Sequence, residues 1–145
     1  MADEGREARS GGIAAALDLL DRSRASLLQA CRAGTTTDRY VAAHLGALRA
    51  AAALLAARPA GMPRGGVIRT VWAYLAELAP ELAEWADYFA VAGVRRSAVE
   101  AGAVPLRREA DDLLRAAETF LALVAGSLGL PAVAREDALA AVGGP

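Results

Sequence analysis

The sequence predicts an all-α protein, an up-and-down four-helix bundle with a kinked third helix and a short extra helix. Three observations predict it. Apolar residues recur at helical spacing along most of the 145 residues; β-branched residues are scattered and never alternate; and Gly and Pro fall where long helices would be joined by short links. A chain of this length makes one domain and buries roughly two thirds of its unfolded surface in a single core. The expected organisation is a disordered N-terminus over residues 1–9, the bundle over 10–130 and a flexible tail over 131–145.

The first helix is expected over about residues 10 to 33, with Ile13, Leu17, Leu20, Leu27 and Cys31 on one seam and a left-handed stop at Gly34. Arg24 intrudes on that seam. It must reach an edge or meet a carboxylate, with Glu118 and Glu77 as candidates. The second helix starts after Thr36 or Thr37, whose hydroxyls suit a first turn, and runs to Arg58 before Pro59. Its apolar face is Val41, Leu45, Leu48, Ala52 and Leu55. "RPAGMPRGG" then reads as a loop. From Val67 to Phe89 one apolar phase passes straight through Pro80, which predicts one long helix kinked at the proline, with two collinear helices as the alternative. After Gly93, "VRRSAVEAG" makes the short extra helix. The last long helix opens near Pro105, lines up Leu106, Ala110, Leu113, Ala117, Leu121, Val124 and Leu128, and stops at Gly129.

Composition excludes several functions. The formal charge is −1, with all 16 basic residues Arg and neither Lys nor Asn present, so no global field favours DNA or an acidic membrane. Heavy use of Ala, Gly, Leu and Arg is the bias of a GC-rich genome. A single cysteine, Cys31, forms no internal disulfide and reads as an inert core thiol. "MADEGREARSGG" has no apolar signal core, and no run of about 18 uninterrupted apolar residues occurs, so a cytoplasmic location without membrane insertion is expected. One His and no Glu-x-x-His pair exclude a di-iron bundle site, and no glycine-rich phosphate loop is present. No metal or cofactor is expected.

Among charged residues, Glu77, Glu81, Glu84 and Asp87 read as a solvated flank, while Arg108–Asp112 and Asp111–Arg115 read as helix-surface pairs. Four aromatic residues, Tyr40, Trp72, Tyr74 and Tyr88, fall beside the seams, which suggests a homodimer surface. The one spacing with chemical content is "RYVAAH", placing Arg39 and His44 five positions apart.

That spacing matches the Arg-x4-His pattern of ribonuclease members of the HEPN superfamily, which are small helical bundles. The stretches "LLQACRAGTTTDRYVAAHLGALRAAAALLAARP", "VWAYLAELAPELAEWADYFA" and "READDLLRAAETFLALV" resemble a stand-alone HEPN family of actinobacteria, over roughly residues 13 to 130. The resemblance implies a homodimer, in catalytic members one that brings two motif copies into a cleft and cuts RNA without metal. Arg39 would then stabilise the developing phosphorane charge and His44 would act as acid or base. It also allows a protein partner, a nucleotidyltransferase among them. The motif lies on the second helix here, earlier than in ribonuclease members, and five helical steps set the two side chains about 140° apart. Two readings follow: a non-catalytic dimerisation, nucleotide- or partner-binding module, or a metal-independent endoribonuclease.

Overall fold

The computed structural model describes residues 2–59 and 70–130. It contains α1 (Ala2–Arg32), α2 (Thr36–Ala57), α3 (Val71–Leu78), a 3-10 turn (Pro80–Leu82), α4 (Ala83–Glu100) and α5 (Arg107–Ser127), with no strand among the described residues. The expected loop after Pro59, the start of the apolar phase at Val67 and the expected tail over 131–145 lie outside the described residues.

α2 is the centre. It is long and apolar enough to span a bilayer by composition, yet 61% of its most apolar stretch is buried inside the fold, which makes it the core helix. Thr35 caps its start, the hydroxyl accepting a hydrogen bond from the Asp38 amide at 3.1 Å, one or two residues earlier than the sequence suggests. Most of the buried positions of α2 are small, among them Ala43, Gly46, Ala47, Ala50 and Ala51. Val41, Leu45 and Leu48, read as its apolar face, stand half-buried at the rim, because α2 has neighbours on several sides.

α1 packs antiparallel along α2 through Ala16, Leu20, Ser23, Leu27 and Ala30. Ile13 and Leu17 of the expected seam are exposed. The Ser23 hydroxyl donates to the Gly46 carbonyl at 2.7 Å, so the polar seam residue is satisfied across the helix pair. Arg24 reaches the surface and pairs with Asp21 at 3.2 Å, not with Glu118 or Glu77. α1 begins at Ala2, within residues 1–9 for which the sequence predicts disorder; residues 3–9 are exposed, with Asp3 and Glu4 favourably placed at the helix's positive end. Gly34 is not left-handed. Among the described residues the glycines with positive φ are Gly102 (φ 118°) after α4 and Gly129 (φ 75°) after α5.

The kinked third helix is corrected. Proline disfavours the helical conformation at the residue before it, and Ala79 takes φ −136°, ψ 73°, which ends α3. Trp72 and Phe89 then stack with ring centroids 5.1 Å apart. Along one continuous helix those positions would stand about 25 Å apart. The chain therefore folds back at Pro80, and the alternative of two collinear helices fails for the same reason. The short extra helix is absent as a separate element too: α4 runs through Gly93 to Glu100. Tyr40 to Ala92 and His44 to Phe89 contacts set α4 antiparallel to α2, while Arg39 to Asp111, both near helix starts, sets α5 parallel to it.

Gly46 tests the α1–α2 spacing. Gly to Ala inside a helix ordinarily stabilises by about 0.5–1 kcal/mol. Here an added Cβ would sit 2.8 Å from Leu27 Cγ, and Leu27 is itself buried in the core. Gly46→Ala should instead lose about 1–2 kcal/mol, read as a lower urea midpoint. A variant as stable as the parent would show that the helices are not held this close.

Candidate functional site

His44 lies on the face of α2 that α4 covers, and only 2% of it is exposed. Its Nε2 is 3.0 Å from the Phe89 carbonyl oxygen, and its Nδ1 is 3.1 Å from Arg96 Nη1. A guanidinium only donates, so Nδ1 accepts from Arg96 and Nε2–H donates to Phe89: the ring is the neutral Nε2–H tautomer. Burial pushes the His44 pKa below its ordinary value; the Phe89 carbonyl opposes this, the Arg96 charge reinforces it, and Glu100 opposes it. Trp72 meets the imidazole edge-on, centroids 5.9 Å apart. On its other side α4 passes so near that a Cβ at Gly93 would lie 3.2 Å from Nε2. Gly93, which the sequence offers as a helix stop, is a place of close approach.

Arg39 serves a different junction. Its Nε donates to the Ala30 carbonyl at 3.2 Å and its Nη2 to the Ala33 carbonyl at 3.4 Å, closing the end of α1. Its Nη1 binds Asp111 of α5 at 2.6 Å in a partly buried ion pair. Asp111 is thus taken by Arg39 and not by Arg115. Asp112 receives Arg108 at 3.8 Å and Arg115 at 3.3 Å instead. Within the chain, the structure gives Arg39 and His44 separate partner sets and does not bring them together as one site.

Tyr40, between them in sequence, is buried, and its hydroxyl donates to the Ala92 carbonyl at 3.4 Å. Burial first, then the Glu109 and Tyr88 charges, push its pKa up to about 12, against a lowering by Arg95. The phenol is a donor and not a base. Tyr40 forms part of an open groove of about 650 Å³ between α4 and α5, lined also by Tyr88, Val91, Arg95, Glu109 and Leu113. There Arg95 grips Glu109, with Nε 3.2 Å from both carboxylate oxygens and Nη2 3.2 Å from one of them. Of the four aromatics expected on a homodimer surface, Tyr40 and Trp72 are core residues, Tyr74 is half-buried and Tyr88 is exposed. Among the described residues no cluster of three or more His, Cys, Asp or Glu could hold a metal.

A family description, SAV_6107-like HEPN, matches residues 30–125, from the end of α1 to the last turn of α5. That is well over half of the chain. The chain belongs to the SAV_6107-like HEPN family. Neither a curated protein nor a solved structure matches it. The matched span holds Arg39, His44 and every partner just described for them, Ala30 to Asp111.

In this HEPN chain the sequence points to His44 but not to Arg96, Phe89 or Gly93, since nothing local says that α4 folds back beside α2. The hint available was the run "GVRR", where a glycine precedes two arginines on one helix, the second of them 3.5 Å from Glu100 four residues on. His44 is the only histidine, so its titration can be isolated. Its folded pKa lies below the unfolded value near 6.5. The unfolded chain therefore takes up the proton first, and His44 contributes stability that is present above about pH 6.5 and declines as the pH falls toward the folded pKa. Urea melts between pH 7.5 and 5 should lose up to about 1.4 kcal/mol per pH unit in that window. His44→Gln should flatten the slope. An unchanged slope in the variant would assign the titration elsewhere.

Proposed function

We propose that this HEPN protein is a non-catalytic helical module that works by binding, with α1, α2, α4 and α5 as its up-and-down bundle and α3 strapped across the aromatic core. The observation that carries this reading is the state of His44. Both ring nitrogens are bonded inside the fold, and 2% exposure leaves no path for a ribose hydroxyl or a leaving oxygen. General acid–base catalysis needs a group within hydrogen-bond reach of the proton it moves, and His44 spends that reach on Phe89 and Arg96. Arg39 is likewise spent, on two carbonyls and Asp111.

Charge supports the same side. With a formal charge of −1, the chain has no surplus of Arg to neutralise a phosphate backbone. The groove between α4 and α5 offers phenols, aliphatic side chains and carboxylates, a surface for protein. Homodimerisation in the cytoplasm fits this chemistry, and a second protein can use the same surface.

The test pairs activity with stability. Structured and single-stranded RNAs incubated with the protein in EDTA should remain intact. His44→Ala should lower the melting temperature by several degrees, since it strands the Phe89 carbonyl and Arg96, a loss of about 1–3 kcal/mol. EDTA-resistant cleavage that leaves cyclic phosphate ends, abolished in a His44→Ala variant with unchanged melting, would overturn the reading in favour of the endoribonuclease.

A further inference from the structure

The contact between α2 and α4 fits only the neutral form of His44. Nδ1 accepts from Arg96 Nη1 at 3.1 Å, and Nε2–H donates to the Phe89 carbonyl at 3.0 Å. An added proton has one place to go, the Nδ1 lone pair, and that lone pair is the acceptor for Arg96. Once it is taken, Nδ1–H and the guanidinium face each other as two cationic donors 3.1 Å apart. A flip of the imidazolium changes nothing, because both of its nitrogens donate. Nor has the ring a second place to lie: a Cβ at Gly93 would stand 3.2 Å from Nε2, Trp72 meets the ring edge-on, and 2% exposure keeps water from the new charge.

The charges that act on the ring come from α4. Arg96 opposes its protonation, and Glu100, a weaker influence, favours it. α3 turns Trp72 toward the ring and carries Tyr74 and Glu77 as its ionisable groups. On α2, Tyr40 stands one turn earlier with its hydroxyl on the Ala92 carbonyl. Glu109 and Asp112 of α5 act on Tyr40 and Tyr88 across the groove. Arg96 has somewhere to go when the ring rejects it, since the Glu100 carboxylate is already 3.5 Å from its Nε. With His44 charged, both of its bonds to α4 are disturbed, and Tyr40 to Ala92, a long bond of 3.4 Å, is left between the two helices. The Arg95–Glu109 tether to α5 is over a third exposed at both ends and holds α4 weakly.

We propose that His44 is an acid-sensitive latch: a proton on Nδ1 expels Arg96, frees the Phe89 carbonyl and releases α4 from α2 while α1, α2 and α5 stay together. The junctions of α2 with α1 and α5 are made by Ser23 and by the Arg39–Asp111 pair, and His44 is the only histidine, so release is confined to α4. A solvated ring takes its proton near pH 6.5 and the clasped ring only below that. Each pH unit between the two therefore favours the released form about tenfold. Released, α4 carries off Tyr88, Val91 and Arg95, one wall of the groove that Tyr40 and Leu113 complete. That acid thereby dismantles a binding surface rests on the binding-module reading; the latch itself does not.

Hydrogen exchange read at individual amides tests the latch. Protection of the α4 amides from Phe89 to Glu100, corrected for the pH dependence of the exchange chemistry, should fall about tenfold per pH unit below 6.5. The α1 and α2 amides should stay better protected than those of α4 throughout. His44→Gln, with its helical circular dichroism intact, should hold α4 protection level across the same range. Arg96→Met gives a readout independent of that variant's folding: the midpoint of the single imidazole, followed by NMR, should move upward because the opposing charge is gone, and Arg96→Lys should return it toward the parent's. Amides of α4 that exchange in step with those of α1 and α2 at every pH, protection of α4 that does not change with pH, or a midpoint unmoved in Arg96→Met would each overturn the proposal. RNA cleavage would defeat the binding-module reading while leaving the exchange pattern unchanged, so the two failures are distinguishable.

Discussion

The packing rests on how closely helices can approach α2. Ala43, Gly46, Ala47, Ala50 and Ala51 present little more than backbone, and this lets α1, α4 and α5 settle against one element. Close approach has a consequence for polar groups. When helices meet backbone to backbone, carbonyls of one come within reach of side chains of the other, and the core bonds follow from that: Ser23 to Gly46, Tyr40 to Ala92, His44 to Phe89. A core built of leucines alone would hold the helices farther apart and leave these groups without partners.

His44 shows how much a buried polar residue can specify. Its neutral ring needs one acceptor and one donor, and α4 supplies both, from a helix carbonyl and from Arg96. Rotating α4 by one residue about its axis would carry Phe89 and Arg96 away from the ring, and Gly93 leaves only enough space for the ring in its present place. The same bonds that position α4 consume the capacity a catalytic histidine would need. Both ring nitrogens of His44, one end of the Arg-x4-His spacing, are thus bonded at the contact between α2 and α4.

The sequence was legible where information is local. The all-helical class, the extent of α2, its threonine cap region and most of the α5 seam follow from spacing and turn chemistry. The failures share a cause. The unbroken apolar phase from Leu75 to Phe89 disguised a reversal, because Leu75 and Phe89 face a common core from two directions and keep the phase of one helix while belonging to two. Ile13 and Leu17 read as core since they extend the α1 seam, yet no described neighbour covers them. The partners of Arg39, Ala30, Ala33 and Asp111, are joined to it only by tertiary structure. Spacing named both motif residues and said nothing of what each one touches.

The inner bonds of α4 also decide what its outer face can be. Phe89 and Ala92 turn their carbonyls toward His44 and Tyr40, and Gly93 and Arg96 close on the imidazole. With those positions committed inward, helical geometry leaves residues 87, 88, 91, 94, 95 and 98 outward, whatever their chemistry. A solvent-facing strip has no need of a tyrosine and two valines, and hydration of apolar surface is unfavourable by roughly 25 cal/mol per Å². Surface apolar residues scattered singly require no explanation, but these three are contiguous, and they are bracketed by an acid and a base at equal distances from their centre. The orientation that stabilises the core of the chain therefore leaves an apolar strip on the outer face of α4.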